Sequence, residues 1–150
     1  MNEIELIEHP EGGRYKEVFR SELLVEQEKR TRSALTHIYF SLNANECSRF
    51  HKVSSDEIWN LYEGEGIFLY LWNEESKELK KIELSRQTRE YCYVVKAGLW
   101  QATVPITNKV LVGCSVAPGF EFEDFILIEK EGPIGKEILQ AHPELIRLVK

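Results

Sequence analysis

From Ser33 to Ala117 the chain is a series of short β-branched and aromatic runs, each closed by residues that turn a backbone. The runs are Ser33 to Leu42, Cys47 to Val53, Glu57 to Tyr62, Ile67 to Trp72, Leu79 to Leu84, Tyr91 to Lys96, Trp100 to Ile106 and Val110 to Ala117. Between them stand Asn43-Ala44-Asn45-Glu46, Ser54-Ser55-Asp56, Glu63-Gly64-Glu65-Gly66, Asn73 to Lys77, Ala97-Gly98 and Thr107-Asn108, and Pro118-Gly119 follows the last. β-Branched and aromatic side chains suit a pleated surface, whereas Gly, Asn, Asp and Pro supply the φ values and local hydrogen bonds of turns. Strands recurring at roughly 8–12 residues predict an all-β sandwich or barrel. Closure would remove the exposed edges.

The flanks are less regular. Ile4, Leu6 and Ile7, within residues 2–8, fit a strand or a short helix equally. His9-Pro10-Glu11-Gly12-Gly13 breaks any regular element and reads as a structured loop. Arg14 to Ser21 alternates as a half-exposed strand, and Glu22 to Arg32 reads as a polar connection. Phe120 to Ile128 mixes aromatics with acids and ends in one more strand; within it Glu121 to Phe125 would pack, rim a pocket or make a dimer contact, with packing the leading expectation. Beyond it Ile134, Ile138, Leu139, Leu145, Ile146 and Val149 recur at helical spacing around Pro143, which predicts short helices packed outside the barrel.

A chain of 150 residues is expected to form one domain, residues 1–150, with a real core. The net charge of −6, with no basic stripe, argues against a nucleic-acid partner. The three cysteines, Cys47, Cys92 and Cys114, form no C-x-x-C pair, and Cys92 and Cys114 lie in apolar runs as buried hydrophobes would. A reducing, cytoplasmic setting is the expectation. No apolar run is long enough to span a membrane, and the N-terminus carries acids where a signal peptide carries cations.

The chemistry concentrates between Ser48 and Gly64. There His51 and Glu57 are expected on two adjacent strands, turned toward one cavity. Because alternate residues share a strand face, Arg49, His51 and Val53 are grouped, as are Glu57, Trp59 and Leu61. A neutral imidazole takes or gives a proton near physiological pH, and a carboxylate beside it raises its pKa and orients the ring. Glu57 is the candidate for that orienting part; the plainer reading is a buried acid satisfied by backbone donors or by Gln101. Arg49 would hold a carboxylate or phosphate, or pair with Glu57. Tyr39, Tyr70, Trp59 and Trp100 offer aromatic walls for a ligand, although such residues also simply fill cores.

His51, Glu57 and Gly64 match the spine of the first cupin motif, and Gly98 keeps the glycine of the second. Four further segments, His9 to Gly13, Ser55 to Trp59, Ala97 to Gln101 and Ala117 to Phe125, together resemble a cupin family of unassigned function. The resemblance implies a double-stranded β-helix (jelly-roll) barrel similar to the deoxysugar-nucleotide epimerases, forming a homodimer. It also implies that the His9 to Gly13 block, Glu57, Trp59 and Gln101 line the pocket. Two metal-ligand positions depart from the cupin pattern: Val53 replaces the second His and Gln101 the third. The remaining set of His51, Glu57 and the neutral oxygen of Gln101 is a weak one, so no metal or other cofactor is expected. The leading expectation is a protein that binds a small polar or carbohydrate-like molecule and, if catalytic, moves a proton beside a carbonyl, with His51 as base, Glu57 orienting it, and Gln101 or a tyrosine steadying the oxyanion. The alternatives are a metal-dependent isomerase or oxygenase using His51, Glu57 and Gln101, and a non-catalytic metabolite-binding module.

Overall fold

The computed structural model describes residues 4–150 and is an antiparallel jelly roll. In chain order the strands are β1 (Ile7–Glu8), β2 (Arg14–Arg20), β3 (Leu24–Gln27), β4 (Arg30–Ser33), β5 (Thr36–Leu42), β6 (Ser48–Lys52), β7 (Asp56–Glu63), β8 (Gly66–Asn73), β9 (Glu78–Ser85), β10 (Cys92–Val95), β11 (Trp100–Pro105), β12 (Val110–Ala117) and β13 (Ile126–Leu127). Two helices follow, α1 (Pro133–Ala141) and α2 (Ile146–Val149), joined through a short 3-10 turn at Pro143–Leu145. One sheet has six strands in the order β1-β2-β5-β12-β7-β10 and the other five in the order β13-β6-β11-β8-β9; β3 and β4 form a separate hairpin.

The predicted strands from Ser33 to Ala117 are present with ends moved by a few residues. Two readings are corrected. The polar connection Glu22 to Arg32 contains the β3–β4 hairpin, because its Val25, Thr31 and Arg32 pair across a turn whose residues Glu28 and Lys29 take positive φ. The Phe120 to Ile128 stretch carries a 3-10 turn, Phe122–Asp124, and ends in the expected strand, the two residues of β13. Cys92 is exposed, since its edge strand β10 turns it to solvent, while Cys114 is buried. Of residues 2–8, the first two lie outside the described residues, and Ile7–Glu8 is a strand.

The five-stranded sheet is covered on both faces. Ile67, Leu69 and Leu71 of β8 join Phe40, Trp59, Val112 and Cys114 in the core between the sheets. From the opposite face Trp72, Trp100, Phe50 and Ala102 pack under Ile138, Leu145, Leu148 and Val149 of the C-terminal helices. Burying both faces accounts for the unbroken apolar run from Ile67 to Trp72. The six-stranded sheet has one face in the core and the other in solvent, and so alternates.

The loop before β2 closes one end of the barrel. Its Glu11 carbonyl accepts from the Arg49 N–H at 2.8 Å, tying it to β6. Gly12 has φ +113°, and a Cβ there would collide with the Cys47 carbonyl, so the loop lies this close only because Gly12 has no side chain. Gly98 has φ +84° with open space around it. Gly12→Ala is therefore expected to cost more than the roughly 1 kcal/mol scale of a compatible glycine substitution, and clearly more than Gly98→Ala. Urea unfolding of the two variants beside wild type checks this, and equal losses would show that the collision does not matter.

Candidate active site

A cavity of about 250 Å³ opens at the end of the barrel covered by that loop. Its inner wall is built by alternation on the six-stranded sheet: Thr36 and Ile38 of β5, Cys114 and Val116 of β12, and Glu57 of β7. His51 enters from β6, on the facing sheet. Two β-bulges set what reaches the cavity. On β6, Ser48 and His51 pair with Thr103 and Gln101, so Arg49 and Phe50 together oppose one residue of β11. On β2, Glu17 and Phe19 pair with Ile38 and His37, leaving Val18 as the extra residue and returning Arg20 to the cavity face opposite Thr36. An extra residue reverses which side chains face inward beyond it.

The floor is a buried cluster of ionisable groups. His51 Nδ1 lies 2.8 Å from the Arg49 carbonyl oxygen and 2.6 Å from Glu11 Oε2. The N–H is aligned with the carbonyl, so the attraction to Glu11 is chiefly ionic and Oε2 is left without an aligned donor. Among the described residues nothing hydrogen-bonds Nε2, which leaves it for the cavity. Across the floor Trp59 Nε1 donates to Gln101 Oε1 at 2.7 Å, and Gln101 Nε2 donates to Glu57 Oε2 at 2.6 Å. An indole nitrogen only donates, so it fixes which way the Gln101 amide points.

These contacts set the protonation states. Burial raises the Glu57 carboxyl to about 6, the His51 charge opposing this and the Glu11 charge adding to it. For His51, burial favours the neutral ring, but the Glu11 and Glu57 charges outweigh it and raise its pKa above the ordinary 6.5. Burial would also raise Glu11, yet His51 holds it below the usual carboxylate range. Burial keeps His9 lowered against the pull of Glu11. The cluster thus favours the charged ring of His51 and delays the ionisation of Glu57 to about 6.

Aromatic rings form the roof. His9 and Tyr15 meet edge to face at 4.8 Å, Phe120 and Phe122 at 5.0 Å, and Phe125 lies 5.5 Å from the His51 ring at a 31° tilt. The segment carrying these phenylalanines is held from outside. Arg20 pairs with Glu121 at 2.8 Å and donates to the Phe120 carbonyl, Arg30 pairs with Glu123 and Asp124, and the buried Arg32 reaches the Gly119 carbonyl and Asp124.

The structure brings His51 and Glu57 into one cavity, but from opposite sheets rather than adjacent strands. Its orienting carboxylate for His51 is Glu11. Glu57 is instead the acid held by Gln101, and Gln101 and Trp59 lie beneath it in the core. Arg49 does not share the His51 face, because the bulge on β6 breaks the alternation; it contributes its carbonyl. Tyr39 faces outward beside Tyr62. Tyr70 and Trp100 face the helix side, where Trp100 donates to Glu74. None of these three lines the cavity. The residues missed are Tyr15, Glu17, Arg20, Phe120, Phe122 and Phe125; the aromatic spacing in Phe120 to Phe125 was a signal, read as packing. The metal set does not fit, since the Gln101 oxygen is taken by Trp59 and its amide presents N–H to Glu57. Among the described residues no three His, Cys, Asp or Glu side chains converge to hold an ion.

An antiparallel double-stranded β-helix with a polar cavity at one end and helices packed on its second sheet is a cupin barrel. The chain belongs to the cupin superfamily (DUF985), whose family model matches residues 1–128. It is 29% identical over 149 residues to the uncharacterized protein YML079W of Saccharomyces cerevisiae, covering 87% of this chain and 74% of that one. Among solved structures it is similar to protein SO0799 from Shewanella oneidensis, with 29% identity, a TM-score of 0.80 and coverage of 96% and 88% of the two chains. A hypothetical protein from Leishmania major matches at 26% identity and a TM-score of 0.78, over 96% of this chain and 90% of that one. No helix is long and apolar enough to cross a membrane among the described residues.

The Glu57 shift has a thermodynamic consequence. A carboxyl whose folded pKa is raised from 4.5 to about 6 weakens the native state progressively as pH rises through that interval, and fully above it. Glu57→Gln keeps an acceptor for Gln101 without the charge. It is expected to gain on wild type by roughly 2 kcal/mol between acid and neutral pH, read from urea midpoints across that range. Parallel curves for the two proteins would contradict the assignment.

Proposed function

We propose that the protein is a metal-independent proton-transfer enzyme, an isomerase or epimerase acting beside the carbonyl of a small hydroxylated molecule. The observation that carries this reading is a cavity-lining His51 whose Nδ1 is already engaged and whose Nε2 is free, beside a buried Glu57 raised to about 6. Two titratable groups poised around neutrality in one cavity are what acid–base catalysis at carbon requires.

The environments favour roles the reverse of those expected from sequence. Glu11 keeps His51 protonated, so His51 Nε2–H donates to the carbonyl oxygen as negative charge builds there. Glu57, ionised above about 6, takes the proton from the adjacent carbon. Glu57 returns that proton to the former carbonyl carbon while His51 passes its Nε2 proton to the former carbonyl oxygen and takes the one from the neighbouring hydroxyl, which completes isomerisation and restores both groups. Epimerisation by the same base needs the intermediate to turn over in the cavity before the proton returns. Gln101 steadies Glu57 rather than the substrate, since both ends of its amide are engaged. The phenylalanine roof keeps water from the carbanion-like intermediate and offers flat surface to the C–H face of a ring. Cupin metal chemistry would need the Gln101 oxygen released from Trp59, which is why the metal-free reading is preferred.

Incubating the protein with a panel of aldoses and ketoses in D₂O, and following deuterium incorporation next to the carbonyl by NMR, tests the proposal. Exchange should follow a bell with its acid limb at about 6 and its alkaline limb above 6.5. Glu57→Gln and His51→Gln should each lose about 100-fold or more in rate while remaining folded. Glu11→Gln should move the alkaline limb to lower pH, because His51 loses its counter-charge. Wild-type exchange rates in His51→Gln, or no exchange across the panel, would overturn the reading and leave a binding module.

A further inference from the structure

The charges around the cavity are already matched to one another. The guanidinium that lines it, Arg20, is held by Glu17 at 2.7 Å and by Glu121 at 2.8 Å, and also donates to the Phe120 carbonyl. The neighbouring Arg30 and Arg32 are tied to Glu123 and Asp124. His51 is matched by Glu11, and His9, at the roof, is favoured neutral by its burial. Lys52, next to His51 in sequence, pairs outside with Glu74 at 3.0 Å. Glu57 has its donor in Gln101. Four carboxylates thus line the cavity against one guanidinium and the His51 ring, and each of these two cations already faces a carboxylate.

We propose that this cavity selects an uncharged, hydroxyl-bearing small molecule of monosaccharide size, and turns away the phosphorylated and nucleotide-linked forms of the same compound. The inference rests on the carbonyl-compound reading above and narrows its substrate class. Carboxylates only accept hydrogen bonds, so they suit hydroxyl donors. Glu11 lines the cavity, and its carboxylate accepts no aligned side-chain hydrogen bond among the described residues, so it offers one such place. Aromatic rings on the opposite side suit the C–H face of a ring. A phosphate would enter beside Glu17 and Glu121, find Arg20 taken, and meet like charge. The volume of about 250 Å³ also leaves no room for a base and a diphosphate within the cavity. An amine gains little more, since each carboxylate is already engaged, Glu11 by His51, Glu17 and Glu121 by Arg20, and Glu57 by Gln101.

Matched sets of ligands test this: free monosaccharides, their phosphate esters, their nucleoside-diphosphate conjugates and the corresponding amino sugars, measured by thermal shift and calorimetry. At least one free sugar should bind, with its phosphate ester and nucleotide conjugate about tenfold weaker or worse and its amino form no tighter. The double variant Glu17→Gln/Glu121→Gln frees Arg20 and should narrow the gap to the phosphate ester; circular dichroism confirms that it is folded. A phosphate ester, nucleotide conjugate or amino sugar that binds better than the free sugar, no binding of any free sugar, or an unchanged gap in the folded double variant would overturn the proposal. Binding is also measured on Glu57→Gln. Free-sugar binding with no deuterium exchange in wild type would overturn the proton-transfer reading alone, whereas exchange on a tightly bound phosphate ester would overturn only the charge selection.

Discussion

A carboxylate is carried into a protein interior only with an opposite charge or well-placed donors, and at the open end of this barrel Glu11 has little else than His51. Much of the surrounding architecture follows from keeping the two together. The loop from His9 to Gly13 must press against β6, which requires the missing side chain at Gly12, and Arg49 must give its carbonyl to the His51 ring so that Nδ1 keeps its hydrogen. With Nδ1 fixed, the free nitrogen is turned into the cavity. The same charge on Glu11 reaches Glu57 and adds to the effect of burial there. One loop contact therefore sets the orientation of the imidazole and influences the protonation of the acid across from it.

The second ordering element is the pair of bulges. A strand of strict period two would put Arg49 and His51 side by side, and a buried guanidinium at Arg49 would change the charge of the whole floor. The extra residue in β6 sends Phe50 into the helix-side core and leaves Arg49 off the cavity wall, while the extra residue in β2 swings Arg20 onto it beside Glu17. Bulges often stand next to active sites because they re-aim one side chain without moving the sheet. Here they exclude one arginine and admit another, and the one admitted arrives already paired.

These features explain what was legible in the sequence. An all-β sandwich or barrel was readable because strand runs and turn residues alternate plainly, the cupin resemblance narrowed it to a jelly roll, and His51 and Glu57 stood out as an imidazole and a carboxylate among apolar strand residues. Their mutual arrangement was not readable, since local alternation does not report on which sheet a strand enters. Arg49 was misplaced because a bulge leaves no mark in Ser-Arg-Phe-His. Tyr70 and Trp100 were misplaced because both faces of the five-stranded sheet are buried, so an aromatic residue there is equally at home in the helix-side core. Glu11 and Phe120 to Phe125 lie far apart along the chain and meet only when the barrel closes; the family resemblance marked the first block as pocket-lining, and the second was read as packing.

The roof joins the two halves of the argument. Phe120, Phe122 and Phe125 cover the cavity only because Glu121, Glu123 and Asp124 between them are held by Arg20, Arg30 and Arg32. Glu123 and Asp124 lie off the cavity against Arg30 and Arg32, while Glu121 meets Arg20 at the cavity wall, so the cover needs cations along its edge. In a cavity built to receive a phosphate Arg20 would be free of Glu17 and Glu121, and the roof would have to be held in another way. On the proposed reading, the commitment of these arginines to the roof shields a carbon acid from water and at the same time denies an anion its partner. Shielding and charge selection are in this sense one arrangement, seen from the two sides of a single short segment.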